Sequence, residues 1–399
     1  MIALAGMLSL SVAMGIGRFA FTPILPLMLA DGSVDLAGGS GLATANYLGH
    51  LVGAGFCALQ PWLWSRVPSL PALRYVTLIR VGLAATALAT LAAALPLPPS
   101  WPALRLLAGT TSAVVLVYTS GWCLGRLAGT GASALGGVVY AGPGVGIVAS
   151  GVLGMAMAAA RWSAAAAWIT FAVLAFTTTA IVWSVFRGGA ERLAARPVPT
   201  AESATGGARD ERRLLVAAYA LAGFGYIVTA TYSPVIARTA GTSPRWVDAF
   251  WPLFGVGVTI GALLATRIPT AGDRRRWLVG CHLAQALGIG VGLVWPTTAG
   301  FIAGSLLLGL PFTTITFLAM EEARRLQPRQ AASLMGLLTL AYGIGQIVGP
   351  PLVSWRLAHS PSTMAAFTSS LAIAAAALVI AAVLYWVMIR RHPLAGGVR

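Results

Sequence analysis

The sequence predicts an all-α integral membrane protein with twelve transmembrane helices in two similar six-helix halves. Three observations carry this prediction. The 399-residue chain is 58% hydrophobic and only 9% charged, whereas charged residues make up about a quarter of a soluble protein. Long apolar segments follow one another, each near the roughly 20 residues that cross a bilayer. The third observation is a repeat of glycine and proline positions between the two halves.

Twelve apolar segments are predicted to be helices, and the gaps between them are rich in Pro, Gly, Ser or Arg, as expected of loops. The segments cover residues 2–29, 42–65, 72–95, 101–125, 132–159, 162–186, 213–237, 246–267, 276–295, 298–320, 331–356 and 363–389. The longest polar stretch, 188–212, separates segments 6 and 7 and favours a flexible cytoplasmic linker. This predicts an N-terminal six-helix bundle at 1–187 and a C-terminal one at 213–399.

Arginine supplies every basic side chain, because none of the 26 basic residues is lysine. Three arginines fall inside predicted segments. With a cytoplasmic N-terminus, nineteen of the others fall on the cytoplasmic side and only four outside. The outside four are Arg161, Arg238, Arg245 and Arg356. This positive-inside bias predicts a multi-pass membrane protein with both termini in the cytoplasm. The +16 net charge is then explained by topology and the lipid bilayer, and no nucleic-acid partner is predicted.

A repeat links the two predicted halves. The pattern Gly-x-Gly, followed nine residues later by Pro, occurs at 15–26 in segment 1 and again at 223–234 in segment 7. In segments 5 and 11, "GVGIVASG" (144–151) aligns with "GIGQIVGP" (343–350). Two matches in corresponding segments predict a parallel six-plus-six repeat.

Three motifs in these segments resemble one family. "GIGRFAFTPILPLM" (15–28), "YAGPGVGIVASG" (140–151) and "LAYGIGQIVGPPL" (340–352) are similar to the YbfB/YjiJ family of bacterial major facilitator superfamily (MFS) transporters. The resemblance implies the MFS fold, two pseudo-symmetric six-helix bundles, and transport by alternating access across the bacterial inner membrane, without naming a cargo. Two loops depart from the usual superfamily pattern Gly-x-x-x-Asp-Arg-x-Gly-Arg. "WSRVPSLPALR" (64–74) lacks its acid and glycine, and "RIPTAGDRRR" (267–276) keeps one acid at altered spacing.

Arg18 is the leading candidate for substrate binding. It lies about 16 residues into segment 1, or roughly 24 Å along a helix, beyond the middle of a bilayer core. Arginine is costly there and usually faces the bundle interior or a cavity, where a guanidinium can grip a carboxylate, sulfonate or phosphate. The structural alternative is an arginine satisfied by helix-end carbonyls or neighbouring hydroxyls. Arg105, near the outer end of segment 4, is a candidate second anion contact, an extracellular gate or a snorkelling residue.

The resemblance places helices 1, 4, 7 and 10 around a central cavity, with helices 2, 5, 8 and 11 at its walls. Polar and aromatic side chains on these helices complete the predicted substrate site. They are Thr22, Tyr118, Tyr140, Tyr226, Thr229, Tyr232, Trp251, Thr313, Tyr342 and Gln346. By the repeat, Tyr226 matches Arg18 in the other half, a pairing that suits an amphipathic anion. Taken singly, such residues more often hydrogen-bond between helices.

No acidic residue falls in the middle of a predicted segment, although a buried carboxylate is the commonest proton carrier in coupled transporters. His50 on segment 2 and Asp248 at the outer end of segment 8 are the candidates for proton coupling, since histidine ordinarily titrates near neutral pH and carboxylates carry protons in coupled transporters. A proton carried by the substrate and transport without a coupling ion stay open. Glu321 and Glu322 are expected to pair with the arginines three residues on in an ordinary surface cluster.

Glycines and prolines on segments 1, 5 and 11 are predicted to allow close helix approach or bending. They are Gly15, Gly17, Pro26, Gly142, Pro143, Gly144, Gly146, Gly343, Gly345, Gly349 and Pro350. These positions fit a rocking seam between the two halves during alternating access, and they also fit simple close packing. The two interpretations are compatible.

Other classes of function find less support. Cys57, Cys123 and Cys281 lie in predicted helices without metal-type spacing, so neither disulfides nor a metal site is predicted. No nucleophile with a base and no ligand cluster indicates an enzyme, and no cofactor is predicted. The sequence favours a monomeric secondary transporter of a small organic anion, with proton coupling an open option. The alternatives are an antiporter that exports drug-like or sugar-like compounds and a transport-inactive membrane sensor.

Overall fold

A computed structural model describes residues 1–67, 69, 73–186, 206–239, 244–269, 272–295 and 297–394. Among these residues, only the backbone is described at 206, 233–235, 237–239, 244 and 245. The described chain folds into helices and contains no extended strand.

Twelve helices in the described part of the chain are long and apolar enough to cross a membrane. In chain order they are α1 Ile2–Ala30, α2 Leu36–Arg66, α3 Tyr75–Ala92, α4 Pro98–Gly129, α5 Ser133–Ala159, α6 Ala164–Trp183, α7 Gly207–Tyr232, α8 Phe250–Arg267, α9 Arg275–Val294, α10 Thr298–Leu326, α11 Pro328–His359 and α12 Thr363–Arg391. The helix that contains α7 extends over Gly206–Thr239, and a short helix at Pro244–Asp248 precedes α8. The predicted all-helical membrane fold is confirmed.

In α2 and α10, polar side chains support helix ends that lie beyond the predicted apolar segments. α2 begins at Leu36 since Asp35 caps it, with the Asp35 Oδ1 atom accepting a hydrogen bond from the Gly38 N–H at 2.7 Å. α10 continues to Leu326, beyond the predicted end at residue 320. Its last turn carries ion pairs between residues three apart, so polar residues extend the helix past its apolar segment.

The chain divides into two compact units. The first contains residues 1–198 and 327–340, and the second contains 199–326 and 341–399. The predicted linker at 188–212 lies outside the described residues except at its end, where 206–212 form the start of the helix that contains α7. The first part of α11 groups with the first unit.

In the first unit, glycines bring helix backbones into direct contact. A Cβ atom at Gly15 on α1 would lie 2.4 Å from the Cα atom of Gly146 on α5. α2 and α4 approach in the same way, because a Cβ at Gly49 would lie 2.0 Å from the Leu106 carbonyl oxygen. Real side chains do not tolerate such distances, so only glycine permits this packing.

The second unit repeats this contact at the matching positions. A Cβ at Gly223 on α7 would lie 2.2 Å from the Tyr342 carbonyl oxygen, and one at Gly345 on α11 would lie 2.1 Å from that of Ala220. Gly223 and Gly345 are the repeat partners of Gly15 and Gly146. The glycine pairs therefore pack α1 on α5 and α7 on α11 inside each unit, while their part in a rocking seam stays a prediction.

Candidate functional site

The candidate site is built on an irregular stretch of α1. Residues Ser11–Phe19 form a π-helix between two α-helical parts, Ile2–Leu10 and Phe21–Ala30. In π-helical register a carbonyl accepts from the N–H five residues on. Pro23 has no N–H, so residue 23 cannot donate to the Arg18 carbonyl in this register. Donors on neighbouring helices can bind the backbone carbonyls that such an irregular stretch exposes.

Asn46 and Arg105 supply these donors. On α2, the Asn46 Nδ2 atom donates to the carbonyl oxygens of Gly17 at 3.2 Å and of Arg105 at 3.0 Å. On α4, Arg105 donates from Nη1 to the Gly17 carbonyl at 3.3 Å and from Nη2 to the Arg18 carbonyl at 3.4 Å. These hydrogen bonds join α1, α2 and α4 at one level. Sequence reasoning missed Asn46, although an asparagine inside an apolar, glycine-rich segment is a usable signal.

Two guanidinium groups lie in this cluster, and both lie over aromatic rings. Arg18 is 6% exposed, and its Cζ atom lies 5.1 Å from the ring centroid of Tyr47 on α2 and 5.8 Å from that of Phe19. Arg105 is 5% exposed, with Cζ 4.7 Å from the Phe21 ring centroid. Rings cover guanidinium faces, and the N–H donors project from the edges. We call Arg18, Asn46, Tyr47 and Arg105 the arginine cluster.

His50 lies one helical turn after Asn46 on α2 and is buried. Its Nδ1 atom is 3.0 Å from the Ser112 Oγ atom, which in turn is 2.7 Å from the Gly109 carbonyl oxygen. The Ser112 hydroxyl has a single proton, which it donates to that carbonyl. We therefore assign the imidazole proton to Nδ1, and this leaves Nε2 as a proton acceptor.

The described acidic residues of the first unit, Asp31 and Asp35, both lie in the loop between α1 and α2. Asp31 accepts from the Ser33 N–H at 3.1 Å and from the Ala164 N–H at the start of α6 at 3.0 Å. Burial raises the pKa of Asp31, but these hydrogen bonds outweigh burial and leave its pKa below the usual value. Both carboxylates thus bind backbone amides at helix ends.

At the position that the repeat matches to Arg18, the second unit has aromatic rings. The Tyr226 ring centroid lies 4.4 Å from that of Phe312, 5.8 Å from Phe254 and 6.5 Å from Tyr342. The Tyr219 ring lies 5.0 Å from Tyr342. We call these five residues the aromatic cluster. Sequence reasoning missed Phe254 and Phe312, because phenylalanine in a membrane helix carries no signal that separates it from other apolar residues.

The other predicted substrate residues of the first unit lie outside the arginine cluster. Thr22 is exposed one turn after Arg18. Tyr118 is fully buried and packs edge-on against Tyr75 at 5.7 Å. The Tyr140 hydroxyl donates to the Ser120 Oγ atom at 2.6 Å and so links α5 to α4.

Two predicted aromatic residues of the second unit pack against other rings, and one predicted threonine is buried. The Trp251 ring lies 5.7 Å from Phe254, beside the aromatic cluster. Tyr232 packs on Phe367 of α12 at 5.6 Å. Thr313 is buried, and its hydroxyl has no hydrogen-bond partner among the described residues.

The remaining predictions fall at separate places in the second unit. The Thr229 hydroxyl donates to the carbonyl one turn earlier in its own helix at 3.0 Å. Gln346 is buried on α11. Asp248 is exposed at the end of the short helix Pro244–Asp248. The structure thus gathers Arg18 and Arg105 in one cluster, with His50 one turn away, and Tyr226 and Tyr342 in another.

A network of ion pairs joins the ends of α7, α9 and α10 in the second unit. The Arg275 side chain is 0% exposed and bonds to Asp273 at 2.6 Å, to Glu211 at 2.7 Å and to the His392 carbonyl oxygen at 2.8 Å. Arg325 pairs with Glu211. Burial raises the pKa of Asp273, but hydrogen bonds from Arg275 and the charges of Arg275 and Arg325 outweigh it and lower the pKa below its usual value.

The acidic pair at the end of α10 belongs to this network. The predicted pairing is present, with Arg324 3.5 Å from Glu321 and Arg325 2.8 Å from Glu322. Both glutamates are buried, and Arg274 also reaches Glu321 at 3.0 Å. The description as an ordinary surface cluster is therefore wrong. Partners on other helices, which helical spacing does not reveal, draw the acids inward.

Titratable groups elsewhere in the described chain form no evident metal site. No group of three or more His, Cys, Asp and Glu in the described residues is arranged to hold a metal ion. Cys57 and Cys123 are buried as free thiols, and Cys281 is a partly buried free thiol.

Comparisons with known proteins identify the family of this chain and proteins of similar fold. The sequence profile of a family described as "Uncharacterised MFS-type transporter YbfB" matches residues 10–386. The chain resembles the crystal structure of the major facilitator superfamily transporter FucP in its outward conformation, with a TM-score of 0.68, 13% identity and coverage of 96% of this chain and 98% of that one. At this identity the likeness concerns the fold. A search of curated proteins gave no match. Since the family profile spans nearly the whole sequence, this chain belongs to the YbfB family of MFS-type membrane transporters.

Proposed function

We propose that this protein is a secondary active transporter that moves a small organic anion across the bacterial inner membrane by alternating access, with both termini in the cytoplasm. One observation carries the choice of an anion. Arg18 and Arg105 place two buried guanidinium groups in one cluster, while the described carboxylates of the same unit lie in a loop and bind backbone amides at helix ends.

The two arginines have different roles in this proposal. Arg105 donates to the carbonyls of Gly17 and Arg18 and lies over Phe21, so it acts as a positioning residue that holds the π-helical part of α1. Arg18 is the anion ligand. Its guanidinium face lies over Tyr47, and its N–H edge suits a two-pronged hydrogen bond to a carboxylate, sulfonate or phosphate.

The free-energy cost of burying a positive charge favours a state in which Arg18 has an anion bound. An arginine at the bilayer centre costs about 2.5–3.5 kcal/mol on insertion scales. An anion that binds Arg18 neutralises this charge and so stabilises the bundle around it. Since Arg18 is 6% exposed, cargo reaches it only after a rearrangement of the helices, which alternating access supplies.

His50 is the first candidate for proton coupling, and Asp248 is the second. With its proton on Nδ1, His50 can accept another on Nε2, and this adds positive charge near Arg18. An anion in the arginine cluster would favour that protonation, and by linkage the proton would favour the anion. We expect His50→Gln to retain anion exchange but to lose uptake driven by a pH gradient. Equal loss of both activities would remove His50 as the coupling site.

Export of drug-like compounds is the second candidate function, and the aromatic cluster favours it. The rings of Tyr226, Phe254 and Phe312 lie within 4.4–5.8 Å of one another. Such a cluster suits the flat apolar part of an amphipathic compound. The nature of the cargo separates the two functions, because an exporter of this kind would also move neutral or cationic aromatic compounds.

Counterflow in proteoliposomes tests the proposal. Vesicles with purified protein are loaded with a panel of small carboxylates, sulfonates, phosphates, cations and sugars, and exchange of labelled compound is measured. We expect exchange of anions only, at least about tenfold slower in Arg18→Gln and partly restored in Arg18→Lys, in line with the loss of a charged hydrogen bond. Arg66→Gln, at the end of α2, is the matched control. Exchange of neutral or cationic compounds that Arg18→Gln leaves unchanged would contradict the proposal.

A further inference from the structure

A groove of about 410 Å³ opens between α3 and α6 in the first unit, on helices that carry none of the arginine cluster. It is lined by Ala84 of α3 and by Phe176, Thr179, Ala180, Trp183 and Ser184 at the end of α6. Both helices present exposed apolar side chains beside it, as expected where a membrane protein faces lipid. The groove follows α6 for eight residues, or roughly 12 Å at 1.5 Å per residue.

The groove carries two hydroxyl groups, one midway along it and one at the end where α6 stops. Thr179 is only 5% exposed, yet its hydroxyl has no hydrogen-bond partner among the described residues. Ser184, at the mouth, is exposed. A buried hydroxyl at membrane depth is costly without a partner, because hydrocarbon supplies none. These two hydroxyls are therefore suited to a ligand that brings hydrogen-bond acceptors.

Arg80 places a positive charge at the same end. Its Nη2 atom donates to the Trp183 carbonyl oxygen at 2.7 Å, and its Cζ atom lies 4.9 Å from the Trp183 ring centroid. This is its one hydrogen bond within the described chain, whereas a guanidinium has five N–H donors. The other end of the groove, at Ala84 and Phe176, is apolar. Charge at one end and hydrocarbon at the other match the two parts of a lipid.

We propose that this groove binds an anionic phospholipid, with the phosphate at Arg80 and Ser184 and an acyl chain along Phe176 and Ala84. Arginine and tryptophan together at a helix end mark the headgroup level of a membrane. In the predicted orientation this end is cytoplasmic, where anionic lipids attract basic residues. A zwitterionic lipid offers the same phosphate but brings a cationic group next to Arg80. The site is independent of the proposed anion cargo.

Native mass spectrometry of the full chain, delipidated in detergent and titrated with phosphatidylglycerol or phosphatidylcholine, tests this site. We expect wild-type protein to retain phosphatidylglycerol about fivefold more strongly than Arg80→Gln, which is the attraction of one arginine at a membrane surface. Ala84→Leu should reduce retention with Arg80 in place, because it fills the groove. Arg66→Gln and Arg390→Gln are matched controls, since these arginines also lie over tryptophan rings, at 5.3 and 5.1 Å, and should behave as wild type.

Three results would overturn the proposal. Equal loss in Arg80→Gln and Arg66→Gln would show a general charge effect. Phosphatidylcholine retained as strongly as phosphatidylglycerol would show that the groove selects no anionic headgroup. A protein dimer that Ala84→Leu abolishes would show that a second copy of the chain occupies the groove. Circular dichroism of each variant confirms that its helices are intact.

Discussion

The protein buries arginine in two different ways. In the second unit, Arg275 is 0% exposed and bonds to the carboxylates of Asp273 and Glu211. In the first unit, Arg105 is 5% exposed and bonds to two backbone carbonyls, while its guanidinium lies over the Phe21 ring. The carboxylates neutralise the charge of Arg275. The backbone carbonyls and the ring solvate the charge of Arg105 without neutralising it.

This difference separates structure from function. A charge balanced by carboxylates within the fold has no need of an external partner, so the ion-pair network is structural. A positive charge held by neutral groups keeps its attraction for an anion that enters the site. Glycines at matching positions pack α1 on α5 in the first unit and α7 on α11 in the second. The repeat therefore conserves the scaffold, and the two units differ in the side chains placed on it.

The largest effect is expected from a variant that breaks the ion-pair network. Arg275→Gln should destabilise the protein by about 3–5 kcal/mol, because it leaves buried carboxylates without their partner. Arg105→Gln should cost less, about 1–3 kcal/mol, since it removes hydrogen bonds to neutral carbonyls. Chemical denaturation followed by tryptophan fluorescence measures both. Equal losses would show that the two environments do not differ as described.

The next largest effect is expected from alanine variants at the glycines that pack helices in both units. Gly15→Ala and Gly223→Ala should each destabilise by about 1–3 kcal/mol, because the added Cβ meets backbone atoms on α5 or α11. Gly41→Ala on α2 is the control, since a Cβ there meets nothing within 4 Å. The same denaturation assay should give similar losses for the two packed positions. A loss at one position alone would contradict the repeat of the contact.

A smaller effect is expected at Asn46, which joins three helices of the arginine cluster. Asn46→Leu removes two hydrogen bonds to the carbonyls of Gly17 and Arg105, and at about 0.6 kcal/mol each the loss of stability should be near 1 kcal/mol. Counterflow should fall further than stability does, because the position of Arg18 depends on this turn of α1. Unchanged exchange in a stable Asn46→Leu protein would show that the cluster does not position Arg18.

The smallest effect concerns pH and the loop residue Asp273. Its pKa in the folded protein lies below the usual value, so its contribution to stability is present above about pH 4, near the unfolded pKa. The contribution is lost as pH falls through the folded pKa. Asp273→Asn should therefore flatten the acid limb of a plot of melting temperature against pH. An acid limb identical to that of the wild type would place the acid-sensitive groups elsewhere.

The sequence predicts much of this fold because the bilayer fixes helix length and hydrophobicity. It predicts helix ends less well, since Asp35 extends α2 by a capping hydrogen bond that hydrophobicity does not register. Arg18 is predictable as a charge in an apolar segment. Asn46 is detectable as a polar residue in an apolar, glycine-rich segment, but Tyr47 is not. The place of both residues beside Arg18 depends on the close packing of α2 on α4 at Gly49. Partners on other helices, such as Glu211 for Arg325, likewise require the three-dimensional fold.

The thermal stability of the purified protein against a panel of small anions, cations and neutral sugars tests the central claim most directly. The measurement is made on wild type, on Arg18→Gln and on Tyr226→Phe, which keeps the matched ring of the second unit. An anion at a hundred times its dissociation constant should stabilise by about 2.7 kcal/mol. The account predicts this gain for anions alone, in wild type and Tyr226→Phe but not in Arg18→Gln. Stabilisation by cations or sugars that is equal in all three proteins would contradict it and make Arg18 a structural residue.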